Sequence, residues 1–235
     1  MAKTPLKGLV PAAIFEKLKY IDPVSSIDDT VEDAGMASFQ SQWWDNLPDY
    51  QMHLFLREAT EYSLRVDHLK DQSSGADELL RFMPHVAKLV DKIKGWQPHV
   101  STVPSEYVES VQHFNDVWRL GMLCFVYSEI YAMGPGDDFM QECVEASLVP
   151  IQKLSWLQAA LFPVFMIAVH AHTEESREIF CFKLTEMHAA LGFQAPLSVV
   201  SILRNLWERS DGTGAGKAQW REVIRDLGIE LNILL

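Results

Sequence analysis

Residues 105–132 read SEYVESVQHFNDVWRLGMLCFVYSEIYA, and this stretch decides the fold. From His113, the residues Val117, Leu120, Cys124 and Tyr127 follow at spacings of four, three, four and three. That rhythm puts all five on one face of an α-helix. The stretch is too long for a strand, and Gly134-Pro135-Gly136 stops it. The reading is one long helix from Ser105 to Ala132. Working outward, the same three- and four-residue spacing dominates and strict alternation is scarce. Downstream it predicts helices over Asp137–Val149, Lys153–Ala171, Glu174–Leu191, Pro196–Glu208 and Lys217–Leu234. Thr173 before Glu174 and Glu175 makes a good N-cap, Pro196 suits a first turn, and Asp211–Gly216 reads as a loop. Upstream it predicts a short helix over Pro11–Lys19, an acidic loop over Ser25–Asp33, and helices over Ala34–Asn46, Pro48–Lys70 and Ala76–Lys94. In Pro48–Lys70 the apolar stripe is read as Tyr50, Leu54, Tyr62, Val66 and Leu69. The fold class is therefore all-α: a single-domain multi-helix array over 34–235, with an N-terminal extension over 1–33.

Composition narrows the function. The 235 residues include 48% hydrophobic types, seven Trp and twelve Phe, enough for a sizeable core. A formal net charge of -12, with no clustered Lys and Arg, argues against a nucleic-acid surface. No apolar run approaches the roughly 20 residues that span a bilayer. Cys124, Cys143 and Cys181 stand apart, which suits a reducing compartment and no disulfide framework.

From about His113 onward an ordered set of signals stands out. Trp118-Arg119 through Tyr127 to Tyr131 come first, followed by Leu161-Phe162-Pro163-Val164-Phe165-Met166 and Thr173-Glu174-Glu175-Ser176-Arg177. Gly192-Phe193, Leu206-Trp207-Glu208, Trp220-Arg221-Glu222-Val223 and Asp226-Leu227-Gly228 complete it. Taken in this order the second half resembles the fungal-specific transcription factor domain. That resemblance implies an α-helical regulatory module, normally C-terminal to a six-cysteine binuclear zinc cluster. It also implies, for some members, a pocket among the helices for apolar metabolites such as sterols. This sequence departs from the pattern in having no C-x2-C pair, so these residues cannot build the cluster.

Motifs for chemistry are sparse. His170 and His172 are two residues apart, about 200° on a helix, so they do not face one metal. Cys124 lies between Leu123 and Phe125 and reads as a core thiol. Gly212–Lys217 lacks the spacing and the preceding strand of a phosphate loop. The acid pairs Asp28-Asp29, Glu32-Asp33 and Asp137-Asp138 form no D-D-x-x-D helix motif. No metal and no cofactor is expected. What remains is a set of aromatic and polar side chains, each with the core as its ordinary destination. Their density suits a concave pocket. His113, Tyr127 and His170 are the candidate catalytic donors, His113 and Tyr127 looking into one cavity from a shared face. Trp43, Tyr62, Trp118, Trp156, Phe165 and Met166 are the candidate walls.

The preferred reading from sequence is a stand-alone, cofactor-independent fungal biosynthetic enzyme. It would hold an apolar metabolite in a productive conformer for cyclisation, pericyclic reaction or isomerisation. The alternative is a ligand-sensing transcriptional regulator or co-regulator without its own DNA-binding module. A third reading takes the chain as the regulatory part of a longer factor. The expected partners are an apolar small molecule and a second copy or another protein, with no direct nucleic acid and no membrane. The expected location is cytoplasmic, or nuclear for a regulator.

Overall fold

A computed structural model of the chain describes residue 44 and residues 47–72, 75–212 and 219–229. The expected extension over 1–33, the helix over Ala34–Asn46 apart from Trp44, and the candidate Trp43 lie outside the described residues. Eight α-helices follow: α1 Tyr50–Lys70, α2 Gly75–Lys94, α3 Val108–Glu129, α4 Asp138–Lys153, α5 Leu161–Ala168, α6 Glu174–Leu191, α7 Ala195–Gly212 and α8 Trp220–Leu227. A 3-10 turn, Ser105–Tyr107, leads into α3, and there is no strand among the described residues. The all-α class is as the sequence reads.

Helix α1 starts where the Asp49 carboxylate accepts from the Gln51 N–H at 2.8 Å. Its buried stripe is Met52, Phe55, Ala59, Ser63, Val66 and Leu69. Of the expected stripe, Val66 and Leu69 are buried, whereas Tyr50 is 48% exposed and Leu54 lies on the outer side. Met52, Phe55 and Ala59 set the register of the first half against α2 and α3.

Helix α3 is the axis of the fold and packs on α1, α2, α4 and α5. Every residue from Gly121 to Tyr127 is buried, as befits a helix surrounded by others. All eight residues of α5 are buried too. The two helices touch where Gly121 meets Pro163: a Cβ on Gly121 would lie 2.5 Å from the Pro163 Cβ. Pro163 sits in the first turn of α5, where a missing N–H leaves no helical bond unmade.

The expected single helix over Lys153–Ala171 is in fact broken. Helix α4 ends at Lys153, residues 154–160 are irregular, and α5 begins at Leu161. Two distant side chains make the break. Lys183, on α6 and only 3% exposed, donates from Nζ to the carbonyls of Gln152 (3.2 Å) and Leu154 (2.9 Å). It thereby caps the C-terminus of α4 with a cation, as the helix dipole favours. Trp118 donates its indole N–H to the carbonyl of Ala159 at 3.1 Å, and Ala159 takes a left-handed φ of 59°. Lys183 also pairs with Glu186 at 2.7 Å. Lys183→Met keeps the stem but removes the cap, and is expected to cost about 2 kcal/mol in urea denaturation. A loss below about 0.5 kcal/mol would show that the two carbonyls find water instead.

Helix α6 is capped at its start by Thr173, whose Oγ1 accepts from the Ser176 N–H at 3.2 Å. It ends at Gly192 with φ 73°. Helix α7 runs to Gly212, past the expected end at Glu208, because Arg177 grips Asp211 through two bonds of 2.6 and 2.9 Å. That pairing holds the Asp211 carboxyl below its usual range. The rest of the expected glycine-rich loop, 213–216, and both ends of the expected last helix lie outside the described residues.

Candidate functional site

The ends of several helices leave a cleft of about 190 Å³. Asp67 and Lys70 reach it from the end of α1, Glu129 from the end of α3, and Leu206 from α7. His170, on the turn after α5, and Trp220 and Arg221, opening α8, complete the wall. Pockets for drug-sized ligands run to about 300–1,000 Å³ and are mostly apolar. This cleft is smaller and carries four ionised side chains, so it differs from the apolar metabolite pocket expected from sequence.

Glu129 organises the cleft. Its Oε1 accepts the Trp220 indole N–H at 2.9 Å, and its Oε2 lies 2.8 Å from Arg221 Nη2. The guanidinium sits over the Trp220 ring, 5.0 Å from the centroid, and that ring meets Phe165 edge-on at 5.5 Å. One carboxylate thus ties α8 to α3 and, through the indole, to α5. Because the pair is 18% and 12% exposed, it falls between surface and buried pairs. Glu129→Ala is therefore expected to cost about 2 kcal/mol and to red-shift Trp220 emission as α8 loosens. Unchanged urea midpoint and emission in that variant would mean the tie is idle.

His170 is 2% exposed, and neither ring nitrogen has a hydrogen-bond partner among the described residues. Its backbone carbonyl accepts from Gln141 Nε2 at 2.9 Å, which fixes the turn against α4. Burial pulls its pKa down to about 4, against the opposing pull of Asp137, so the ring is neutral at pH 7. His172 is exposed, so the H-x-H is split between interior and surface. Among the described residues no group of three or more His, Cys, Asp and Glu is arranged to hold a metal ion. Cys124 lies against Cys143 in the core; hydrogen bonding to that neighbour, then burial, pushes its thiol well up.

The other candidates from sequence are scattered. His113 and Tyr127 share a face of α3, but fourteen residues of helix separate them by about 21 Å. His113 sits 3.6 Å from Glu109, while Tyr127 packs on Phe139 at 4.3 Å between ring centroids. They do not look into one cavity, since same-face periodicity carries no information about distance along the axis. Tyr62 donates to Glu58 at 2.8 Å, and its pKa is pushed up to about 12 by burial and that carboxylate. Trp156 stacks on Trp44 at 6.3 Å. Trp118, Phe165 and Met166 are core residues. Of the described candidates, His170 alone lines the cleft. Sequence reasoning did not single out Glu129, Trp220 and Arg221 as a site. Trp220-Arg221 stood among the family-like signals, but nothing local links it to an acid some ninety residues earlier.

The chain matches the fungal specific transcription factor domain over residues 48–234. It belongs to that family. The match begins just before α1, well ahead of His113, where the ordered sequence signals start. No curated protein and no solved structure matches the chain. Among the described residues no helix is long and apolar enough to cross a membrane.

Proposed function

We propose that the chain is a ligand-sensing regulatory domain of the transcription-factor type, acting through a partner that supplies the DNA contacts. The observation that carries this reading is the family match, which spans all eight helices. Charge supports it: a net charge of -12 repels phosphate, so these residues need another surface to reach DNA. Three cysteines cannot fill the thiolate positions of a six-cysteine cluster. The enzyme reading names His113, His170 or Tyr127 as hydrogen-bond donors, and the first and last of these lie about 21 Å apart along α3. No observation favours it over regulation.

The test is to tether residues 48–234 to an unrelated DNA-binding domain upstream of a reporter in a fungal host. The expected result is a several-fold change in reporter output relative to the DNA-binding domain alone. A stably expressed fusion that leaves output unchanged overturns the reading.

A further inference from the structure

Phe182 stands on the outer side of α6, 72% exposed, and Val149 on the adjoining α4 is 56% exposed. Either residue alone would be ordinary on a protein surface. The charges around them are not. Every lysine and arginine of the two helices already has an acid: Lys153 pairs with Glu109, Arg177 with Asp211 and Lys183 with Glu186. Six carboxylates of α4 and α6 have no ion-pair partner among the described residues: Asp138, Glu142, Glu145, Glu174, Glu175 and Glu178. Asp138, Glu174 and Glu175 suit the first turns of their helices. Glu142, Glu145 and Glu178 have no such use. On α6, Glu175 and Glu178 precede Phe182 at helical spacing, so they lie in line with it. The face is thus apolar at its centre and negative around it.

The sequence holds one segment of the opposite character. Residues 3–20 carry Lys3, Lys7, Lys17 and Lys19 against Glu16 alone. The helix expected over Pro11–Lys19 puts Ile14, Phe15 and Leu18 on one stripe, with Lys17 and Lys19 on its two sides. Residues 21–43 contain five acids and no lysine or arginine, so the positive charge is confined to 3–20. The chain also enters the described structure beside this face. Trp44 stacks on Trp156, with 6.3 Å between ring centroids. Trp156 lies just past Leu154, whose carbonyl accepts from Lys183 of α6. Residues 21–43 can extend to about 75 Å, against the roughly 24 Å length of α4. Reach is therefore no obstacle, and the tether holds the segment at an effective concentration on the order of millimolar.

We propose that the outer face of α4 and α6 around Phe182 is a docking site for this chain's own residues 3–20. The stripe of Ile14, Phe15 and Leu18 covers Phe182, and Lys17 and Lys19 meet the carboxylates beside it. Complementary charge fixes which segment docks, and the apolar contact adds to its hold. This inference stands on the chain's own charges and does not rest on the regulatory reading.

The experiment places a nitroxide on the thiol of Cys181, the neighbour of Phe182 on α6, in the full chain labelled with 15N. Cys124 and Cys143 are buried and stay unlabelled under native conditions. The readout is the amide signals of residues 11–20. Docking is expected to broaden them in dilute protein, and reduction of the nitroxide to restore them. Phe182→Ser, and Lys17→Glu combined with Lys19→Glu, are each expected to reduce the broadening about fivefold, and both lie outside the core. Salt at about 0.5 M should reduce it too, since exposed pairs are screened. If the label disturbs the face, a zero-length carbodiimide cross-link decides. It is expected to join Lys17 or Lys19 to Glu175 or Glu178 within one chain. The proposal is overturned if neither broadening nor cross-link appears, which leaves the face to a basic segment of another protein. It is also overturned if they arise only between copies in a mixture of labelled and unlabelled chains, or if they survive both variants.

Discussion

Gly121→Ala is expected to destabilise the protein by about 3 kcal/mol, read as a lower urea midpoint at unchanged slope. The added methyl would lie 2.5 Å from the Pro163 Cβ, 2.6 Å from its Cα and 2.9 Å from its carbonyl oxygen. A flexible side chain tip would swing aside, but these are ring and backbone atoms. They belong to a helix whose eight residues are all buried, so α5 has no free side toward which to shift. Helix α3 is equally enclosed from Gly121 to Tyr127. Overpacking at such a contact costs at or above the upper end of the usual 1–3 kcal/mol, roughly. Gly212→Ala is the control, since a Cβ there meets nothing within 4 Å. It should be neutral or mildly stabilising. If Gly121→Ala costs less than about 1 kcal/mol, the α3–α5 contact is looser than described.

His170 gives the second large effect, and it appears as a pH dependence. The unfolded chain protonates this ring as pH falls below its ordinary 6.5, whereas the folded chain resists until about 4. The unfolded state binds the extra proton, so stability held above pH 6.5 drains away as pH falls toward 4. The difference corresponds to about 3 kcal/mol. His170→Phe removes the titration and leaves no unmatched nitrogen in the interior. Its stability should therefore equal or exceed that of the parent at pH 7.5 and fall less by pH 4, by about that amount. Carboxylates that titrate in the same window do so in both proteins and cancel in the comparison. Parallel pH curves for the two proteins would show that the ring is hydrated in the folded state.

The helical class and most helix starts could be read from local chemistry. Thr173 as a cap and the three-four spacing along α3 are properties of neighbouring residues, and single-sequence reasoning reaches them. The break at 154–160 could not be read that way. It is imposed by Lys183 and Trp118, each more than twenty-five residues from the carbonyl it binds. Distances within the candidate site are hidden from sequence for the same reason. Periodicity placed His113 and Tyr127 on one face, which is correct, but a face some fifteen residues long serves several neighbours. Glu129, Arg221 and Trp220 carried no local mark, because their chemistry arises only once α8 folds back onto the end of α3. His170 stands in the sequence as a candidate hydrogen-bond donor; its enclosure is visible only in three dimensions.

Helix α5 sets a clock for the whole molecule. Eight residues are too few to hold a helix in water, where about 12–15 are marginal. Its backbone bonds therefore persist only while the surrounding helices stand, and no local fraying route from a solvent-exposed face exists. Amide protons of Phe165, Met166 and Ile167 should accordingly exchange with solvent among the slowest in the chain, at a rate set by complete unfolding. Weakening any distant contact, Lys183 or Glu129 alike, should hasten their exchange about tenfold for each 1.4 kcal/mol of stability lost. Their deuterium uptake thus reports global stability from a segment that touches almost no solvent.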